Sequence, residues 1–300
     1  MDLSVSECIR RIFGEEIYVV KSTPVSGGDI NAAFRLDLSN GERVFLKTNR
    51  IQLEDMFRAE AEGLAALAAT GVILTARPLG TGTDTERGCS YLLLEFIQEG
   101  MSAASFWEEF GRALAGLHRQ ETAAFVKGGR FGFTRDNYIG RTHQSNAAHE
   151  SFISFFREER LLPQIKMAEK YFGKSELAQA DHMLEHLEEI LIEPDFPSFL
   201  HGDLWSGNFL AGMDGKAILI DPAVYVGCSE ADLAMTELFG GFSPRFYKAY
   251  QEVFPLPYGY EDRREVYNLY HLLNHLNLFG PAYLSSVQRI FRRYGQRQLP

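Results

Sequence analysis

Cysteine is scarce. Cys8, Cys89 and Cys228 are an odd number at wide spacing with no CxxC pair, so neither a disulfide framework nor a zinc site is indicated, and reduced, structural thiols are expected. Positive charge is also in short supply. Lys and Arg number 30 against 40 Asp and Glu, leaving a net charge of −10. Non-specific binding to nucleic acid or to an anionic membrane needs a positive field, so neither partner is expected. No stretch reaches the roughly 18 apolar residues of a membrane span. The N-terminus, MDLSVSECIRRIFG, has no basic segment followed by a long apolar core. We therefore expect a cytoplasmic protein, with a monomer as the favoured state. Low-complexity tracts are absent, and 45% of the 300 residues are hydrophobic, enough to bury a substantial core in one large or two moderate domains.

What the chain does contain is concentrated between Leu200 and Pro222, LHGDLWSGNFLAGMDGKAILIDP. His201, Asp203, Asn208 and Asp221 fall within about two short strands and a turn, with the apolar run Ala217 to Ile220 just before the last carboxylate. Phosphoryl transfer from a Mg²⁺-bound donor needs oxygen ligands for the metal and a separate carboxylate to orient and deprotonate the attacking hydroxyl. Asp203, Asn208 and Asp221 supply that set. Asp203 and Asn208 stand five apart, as in the His-x-Asp…Asn loop of protein kinases, and the turn signal Met213-Asp214-Gly215 returns a second strand to deliver Asp221. A plain polar loop before a buried strand explains neither the spacing nor the Trp205 inside the loop.

Upstream, Ser4 to Phe13 reads as a helix closed by Gly14, followed by strands at Ile17 to Val25, Ala32 to Leu38 and, after the Asn40-Gly41 turn, Arg43 to Thr48. Gly27 and Gly28 between the first two strands allow the backbone to approach phosphate oxygens, although any hairpin turn can hold such a pair. Lys47 ends the third strand. The next helix, Asp55 to Thr70, repeats Phe57, Ala61, Leu64 and Ala68 at helical spacing, with Glu60 inside that stripe. A carboxylate turned inward needs a partner, and Lys47 is the nearest candidate; an exposed Lys with a helix-edge Glu is the plainer alternative. A Gly/Thr-rich loop, Gly80 to Gly88, precedes the strand SYLLLEFI, ending in Glu95, Phe96 and Ile97; by itself it reads only as a buried strand, although a strand leading out of a small sheet could form a hinge whose backbone reads an adenine edge. Past Gly100 amphipathic helices take over, at Ser105 to Gln120, Glu150 to Phe172 and Ser175 to Ile192, then Glu230 to Phe239, Pro244 to Val253, Arg263 to Phe279 and Ala282 to Tyr294. The expected domains are 1–97 and 98–300. Composition assigns no role to FGFTRDNYIG (131–140) beyond an ordered loop. His271 with His275, and His182 with His186, lack the Glu of HExxH and a third ligand, so packed or groove-lining histidines are expected rather than zinc.

Taken together, FLKTN, FGF with DNYIG, Gln144 and Asn146, FFREERLLPQ, LHGDLWSGN, IDPA, FGGF and NHLNLFG resemble the fructosamine-3-kinase (ketosamine-3-kinase) family, within the wider aminoglycoside phosphotransferase and choline kinase group. HGDxxxxN alone points only to a kinase-like small-molecule phosphotransferase, whereas HGDLWSGN with IDPA is narrower. The resemblance implies an α+β, two-lobe protein-kinase-like fold, with a small β-sheet N-lobe and a mainly helical C-lobe containing the catalytic hairpin. It implies ATP and Mg²⁺ as cofactors, Asp203 as proton acceptor, and Asn208 and Asp221 as metal ligands. Lys47 would bind phosphate with Glu60 as its partner; Gly27 and Gly28 would line the phosphate loop, and Glu95, Phe96 and Ile97 the adenine hinge. His201 and Trp205 fall on the acceptor side, Trp205 suited to stacking on a sugar-amine. The implied reaction phosphorylates the 3-hydroxyl of a ketosamine, free or on a glycated protein, in a deglycation role. Two readings compete: a phosphotransferase for an aminoglycoside, choline-like or other hydroxylated amine, and a nucleotide-binding protein without transferase activity. Asp29 stands where many relatives carry Cys, which removes the basis for thiol regulation there, and Phe152 replaces a common Trp.

Overall fold

The structure is a computed structural model and describes residues 3–26 and 30–295. Gly27, Gly28 and Asp29 lie outside the described residues. The chain divides into two compact units: Met1–Phe106 with Asn208–Pro222, and Trp107–Gly207 with Ala223–Pro300. The division thus comes later than the expected residue 98, and the hairpin expected in the C-terminal lobe groups with the first unit. Backbone pairing is the cause. The connecting segment bridges at Glu99 to Gly212, the Gly100 N–H donates to the Ala211 carbonyl (2.9 Å), and the short strand Leu74–Thr75 runs parallel to Ala217–Leu219.

In the first unit, helix Val5–Phe13 is fixed at its start by Ser4, whose hydroxyl accepts the Glu7 N–H while the Glu7 carboxylate accepts the Ser4 N–H; Gly14 ends it at φ 122°. An antiparallel five-stranded sheet follows in the spatial order Val19–Val25, Ala32–Leu38, Arg43–Arg50, Cys89–Glu95, Pro78–Asp84. The last of these overturns the expected Gly80 to Gly88 loop. Glycines and threonines read as punctuation, yet Thr81 and Thr83 are β-branched and fit a ladder, and Gly80 is needed because a Cβ there would strike Cys8 of the first helix. Helix Glu54–Ala69 buries Met56, Phe57, Ala59, Gly63, Leu64 and Leu67. Its inward face is therefore rotated from the expected stripe, leaving Ala61 half-buried and Ala68 exposed, while Glu60 stays on the inner side.

The second unit is mainly helical. Helix Phe106–His118 begins at the division, and the expected helix over Glu150 to Phe172 is interrupted by a π-helical segment, Phe156–Leu161. The next expected helix breaks at His186 into Lys174–Glu185 and Leu187–Ile190. Helices Ser229–Leu238, Pro244–Val253, Tyr260–Phe279 and Leu284–Tyr294 complete the unit. Phe131, Phe152, Phe155, Phe156 and Tyr267 centre its core, so Phe152 fills a packing position. Among the described residues no helix is long and apolar enough to cross a membrane.

FGFTRDNYIG, expected as an ordered loop, leads into a hairpin, Asn137–Ile139 with Thr142–Gln144. Its amides clamp the chain that follows the central stretch: Asn137 Nδ2 donates to the Val224 carbonyl (2.7 Å) and Gln144 Nε2 to the Ala223 carbonyl (3.1 Å). Arg160, fully buried in the π-helical segment, donates to Asn146 Oδ1 (2.7 Å) and the Ser145 carbonyl (2.6 Å), and lies over the Tyr225 ring at 4.1 Å. A buried guanidinium served by carbonyls and aromatic faces needs these contacts, because nothing else offsets its lost hydration.

Candidate functional site

The first unit brings together Lys47, Glu60 and Asp221. Strand Phe209–Ala211 pairs with Ala217–Leu219, Gly215 turns between them at φ 74°, and the Ile220 N–H donates to the Asn208 carbonyl (3.0 Å). The hairpin so delivers Asp221 to Lys47 on the sheet. Lys47 Nζ bonds both Asp221 Oδ1 and Glu60 Oε1, the latter at 2.7 Å. The pairing expected between Lys47 and Glu60 is present, with Lys47 buried and Glu60 mostly so. Burial works against the lysine's charge, but Asp221 and then Glu60 outweigh it and hold the ammonium above the ordinary lysine range. Burial pushes the Glu60 carboxyl up; Lys47 offsets part of that and the nearby Asp221 carboxylate adds to it.

Asp221 takes φ 54°, the one positive φ outside glycine among the described residues. Such a conformation is uncommon and is held only by its surroundings. Its side chain remains 43% exposed, leaving carboxylate oxygen open to a further ligand. An amide oxygen on Asn208 and a carboxylate on Asp221 are hard oxygen donors, the type Mg²⁺ takes. Glu95 closes its strand and accepts the Arg77 N–H (2.9 Å), while Phe96 and Ile97 are half-buried just beyond it, with the Arg35 guanidinium 5.9 Å from the Phe96 ring.

The second unit holds the loop His201 to Gly207. Its anchor is Asp232, in the first turn of helix Ser229–Leu238. The Asp232 carboxylate is buried and accepts the backbone N–H groups of His201 (2.7 Å) and Gly202 (2.8 Å), with His118 Nε2 at 3.2 Å and Tyr250 bonding the other ring nitrogen of His118. Burial opposes its charge, but these contacts prevail and keep its carboxyl below the ordinary range. Gly202 sits at φ 81° against the Ala223 carbonyl, where a Cβ does not fit. His201, expected on the acceptor side, is fully buried instead, with Nδ1 accepting the Asp203 N–H at 3.3 Å; it shapes the loop from within. Asp203 and Trp205 are half-buried, and Trp205 meets Phe239 edge-on at 6.0 Å. The second acid of that segment, Glu230, is 1% exposed and held by two Arg263 bonds of 2.7 and 2.6 Å. Both acids lie on a helix buried on every side from Ser229 to Thr236.

Residues 1–297 match the model of the fructosamine kinase family. The chain belongs to the fructosamine kinase family. Protein-ribulosamine 3-kinase of Arabidopsis thaliana is 40% identical over 286 residues, covering 94% of this chain and 84% of that protein. A putative fructosamine-3-kinase from Haemophilus somnus is similar in structure, with a TM-score of 0.86, 30% identity and coverage of 97% and 96% of the two chains. Choline kinase LicA from Streptococcus pneumoniae, 14% identical over 98% of each chain, shares the fold with a TM-score of 0.60. This kinase therefore has the two-lobe, protein-kinase-like α+β fold and is an ATP-dependent phosphotransferase.

One expected result follows from the open Asp221 carboxylate. If it is a metal ligand, Asp221→Ala weakens nucleotide binding at least about tenfold with Mg²⁺ present, the scale of about 1.5–3 kcal/mol for a bond to a charged group. The same variant should change binding little in chelator. Equal losses with and without Mg²⁺, read by calorimetric titration, would remove the metal assignment.

Proposed function

We propose that this kinase transfers the γ-phosphoryl group of Mg²⁺-bound ATP to the 3-hydroxyl of a ketosamine, the adduct of a sugar and an amine, in the cytoplasm and as a monomer. Asp203 orients the acceptor hydroxyl and takes its proton; Lys47, set by Glu60, binds donor phosphate; Asn208 and Asp221 hold the metal, which neutralises charge on the phosphates when bound. Gly27 and Gly28 line the phosphate loop, Phe96 and Ile97 face the adenine, and Trp205 offers its ring to the sugar-amine. Phosphorylation at the 3-position labilises the adduct, so the reaction serves to remove glycation from protein lysines or small amines.

The observation that carries the substrate class is where the acids go. A polycationic aminoglycoside requires several carboxylates near the acceptor, to neutralise ammonium groups as water leaves. Glu230 is consumed by Arg263 and Asp232 by the loop backbone, while Trp205 and Phe239 present aromatic surface. That pattern suits a neutral or monocationic sugar-amine. Support also comes from the Arabidopsis relative, named for ribulosamine, and the Haemophilus structure, named for fructosamine. In an ATP-consumption assay, kcat/KM is expected to be higher for fructose- or ribulose-lysine than for kanamycin-type compounds, with a marked loss on ketosamines for Trp205→Ala. Equal or better turnover of aminoglycosides, with Trp205→Ala neutral, would move the assignment to an aminoglycoside-type acceptor.

A further inference from the structure

Helix Tyr260–Phe279 carries a buried polar atom that the folded chain leaves without a hydrogen bond, His271 Nδ1. His271 is 4% exposed, and an unpaired buried nitrogen costs about 1–3 kcal/mol, so its persistence calls for a partner from outside the chain. Nδ1 faces Asp203, 3.7 Å from Oδ1. That gap is too wide for a direct bond. An oxygen set at about 2.8 Å from both atoms closes the triangle with an angle near 80°, a geometry open to one hydroxyl that donates to the carboxylate and accepts from the ring.

We infer that His271 Nδ1 and Asp203 together hold the acceptor hydroxyl, His271 donating to its oxygen while Asp203 accepts its proton. The inference rests on the reading of Asp203 as proton acceptor and of a ketosamine as substrate. It requires the tautomer with hydrogen on Nδ1. The ring is uncharged at working pH, because burial and then His275 push its pKa down to about 3, outweighing the opposing pull of Asp232, with a smaller push from Arg160. Neutrality matters. An imidazolium beside Asp203 would lower the carboxylate's affinity for the proton it must take, whereas a neutral N–H fixes the hydroxyl's lone pair without that cost. Tyr270 packs edge-on against the ring, at 5.2 Å between centroids.

The test compares fructose-lysine with its 3-deoxy counterpart, by calorimetric titration in the presence of a non-hydrolysable ATP analogue. Wild-type enzyme should favour the hydroxylated compound about tenfold, the equivalent of two hydrogen bonds net of water. His271→Phe keeps the ring's volume without its nitrogens; it should lose most of that preference while binding the nucleotide analogue within about twofold of wild type. Its kcat/KM for the ketosamine should fall about 10–100-fold with KM for ATP unchanged. His271→Leu provides the same reading if the Phe variant folds poorly. A variant that keeps the full hydroxyl preference overturns the role of His271 and leaves the substrate reading intact. A wild-type enzyme that binds neither compound overturns the substrate reading and this inference with it.

Discussion

Asp203→Asn is expected to lower turnover about 10²–10⁴-fold while leaving nucleotide affinity near wild type, the scale of general acid–base catalysis. The substitution is nearly isosteric, and the loop has anchors apart from the Asp203 carboxylate. Its backbone is held from elsewhere: Asp232 accepts from His201 and Gly202, the His201 carbonyl receives the Ala223 N–H (2.9 Å), and the Asp203 N–H donates to His201. A loss confined to kcat therefore separates chemistry from folding. A well-folded Asp203→Asn enzyme running at close to the wild-type rate would remove the assignment.

The largest effect on stability is expected at Arg263. Arg263→Leu strands the Glu230 carboxylate, 1% exposed, and should cost about 3–5 kcal/mol. Replacing both partners, Glu230→Leu with Arg263→Leu, should recover much of that loss because no buried charge then remains; the Tyr258 and Pro257 carbonyls that Arg263 also serves limit the recovery. Urea unfolding followed by tryptophan fluorescence reads the relevant unit, since Trp107 and Trp205 both lie in it. A single variant within about 1 kcal/mol of wild type would mean that Glu230 is reached by water, and would return it to the pool of acids available to a cationic substrate.

Much of the fold could be read from local signals. The Ser4 cap, the Asn40-Gly41 turn and the Met213 to Gly215 turn each have a chemical cause confined to a few residues, and each element they bound is where the pattern puts it. The Lys47–Glu60 pair was among the sequence readings too, because an acid on an apolar helix face needs a partner and the preceding strand carries a lysine. What escaped depended on neighbours distant in the chain. Pro78–Asp84 is a strand because Cys89–Glu95 pairs with it, not because its glycines and threonines favour one. Asp232 and Glu230 look alike in sequence, two acids in one helical turn, yet one serves backbone amides and the other a guanidinium. His201 reads as a polar loop residue until the loop folds over it. The π-helical turn at Phe156–Leu161 leaves no periodic trace, since one extra residue per turn shifts the pattern only locally.

The hairpin's membership in the first unit also bears on how the chain is made. When residue 106 leaves the ribosome, the Leu74–Thr75 edge and the backbone of Glu99 to Ala103 have no partners, because those lie in Phe209–Leu219. At ~5–20 residues per second, the remaining stretch takes on the order of ten seconds to synthesise. For that interval the five-stranded sheet has all its strands, but the small sheet that Leu74–Thr75 forms with the hairpin stays incomplete, and its closure waits on contacts of long sequence separation, the slow kind to form. The N-terminal unit is thus first to be translated and not first to be finished, and a chain cut at the division would keep an open strand edge for good.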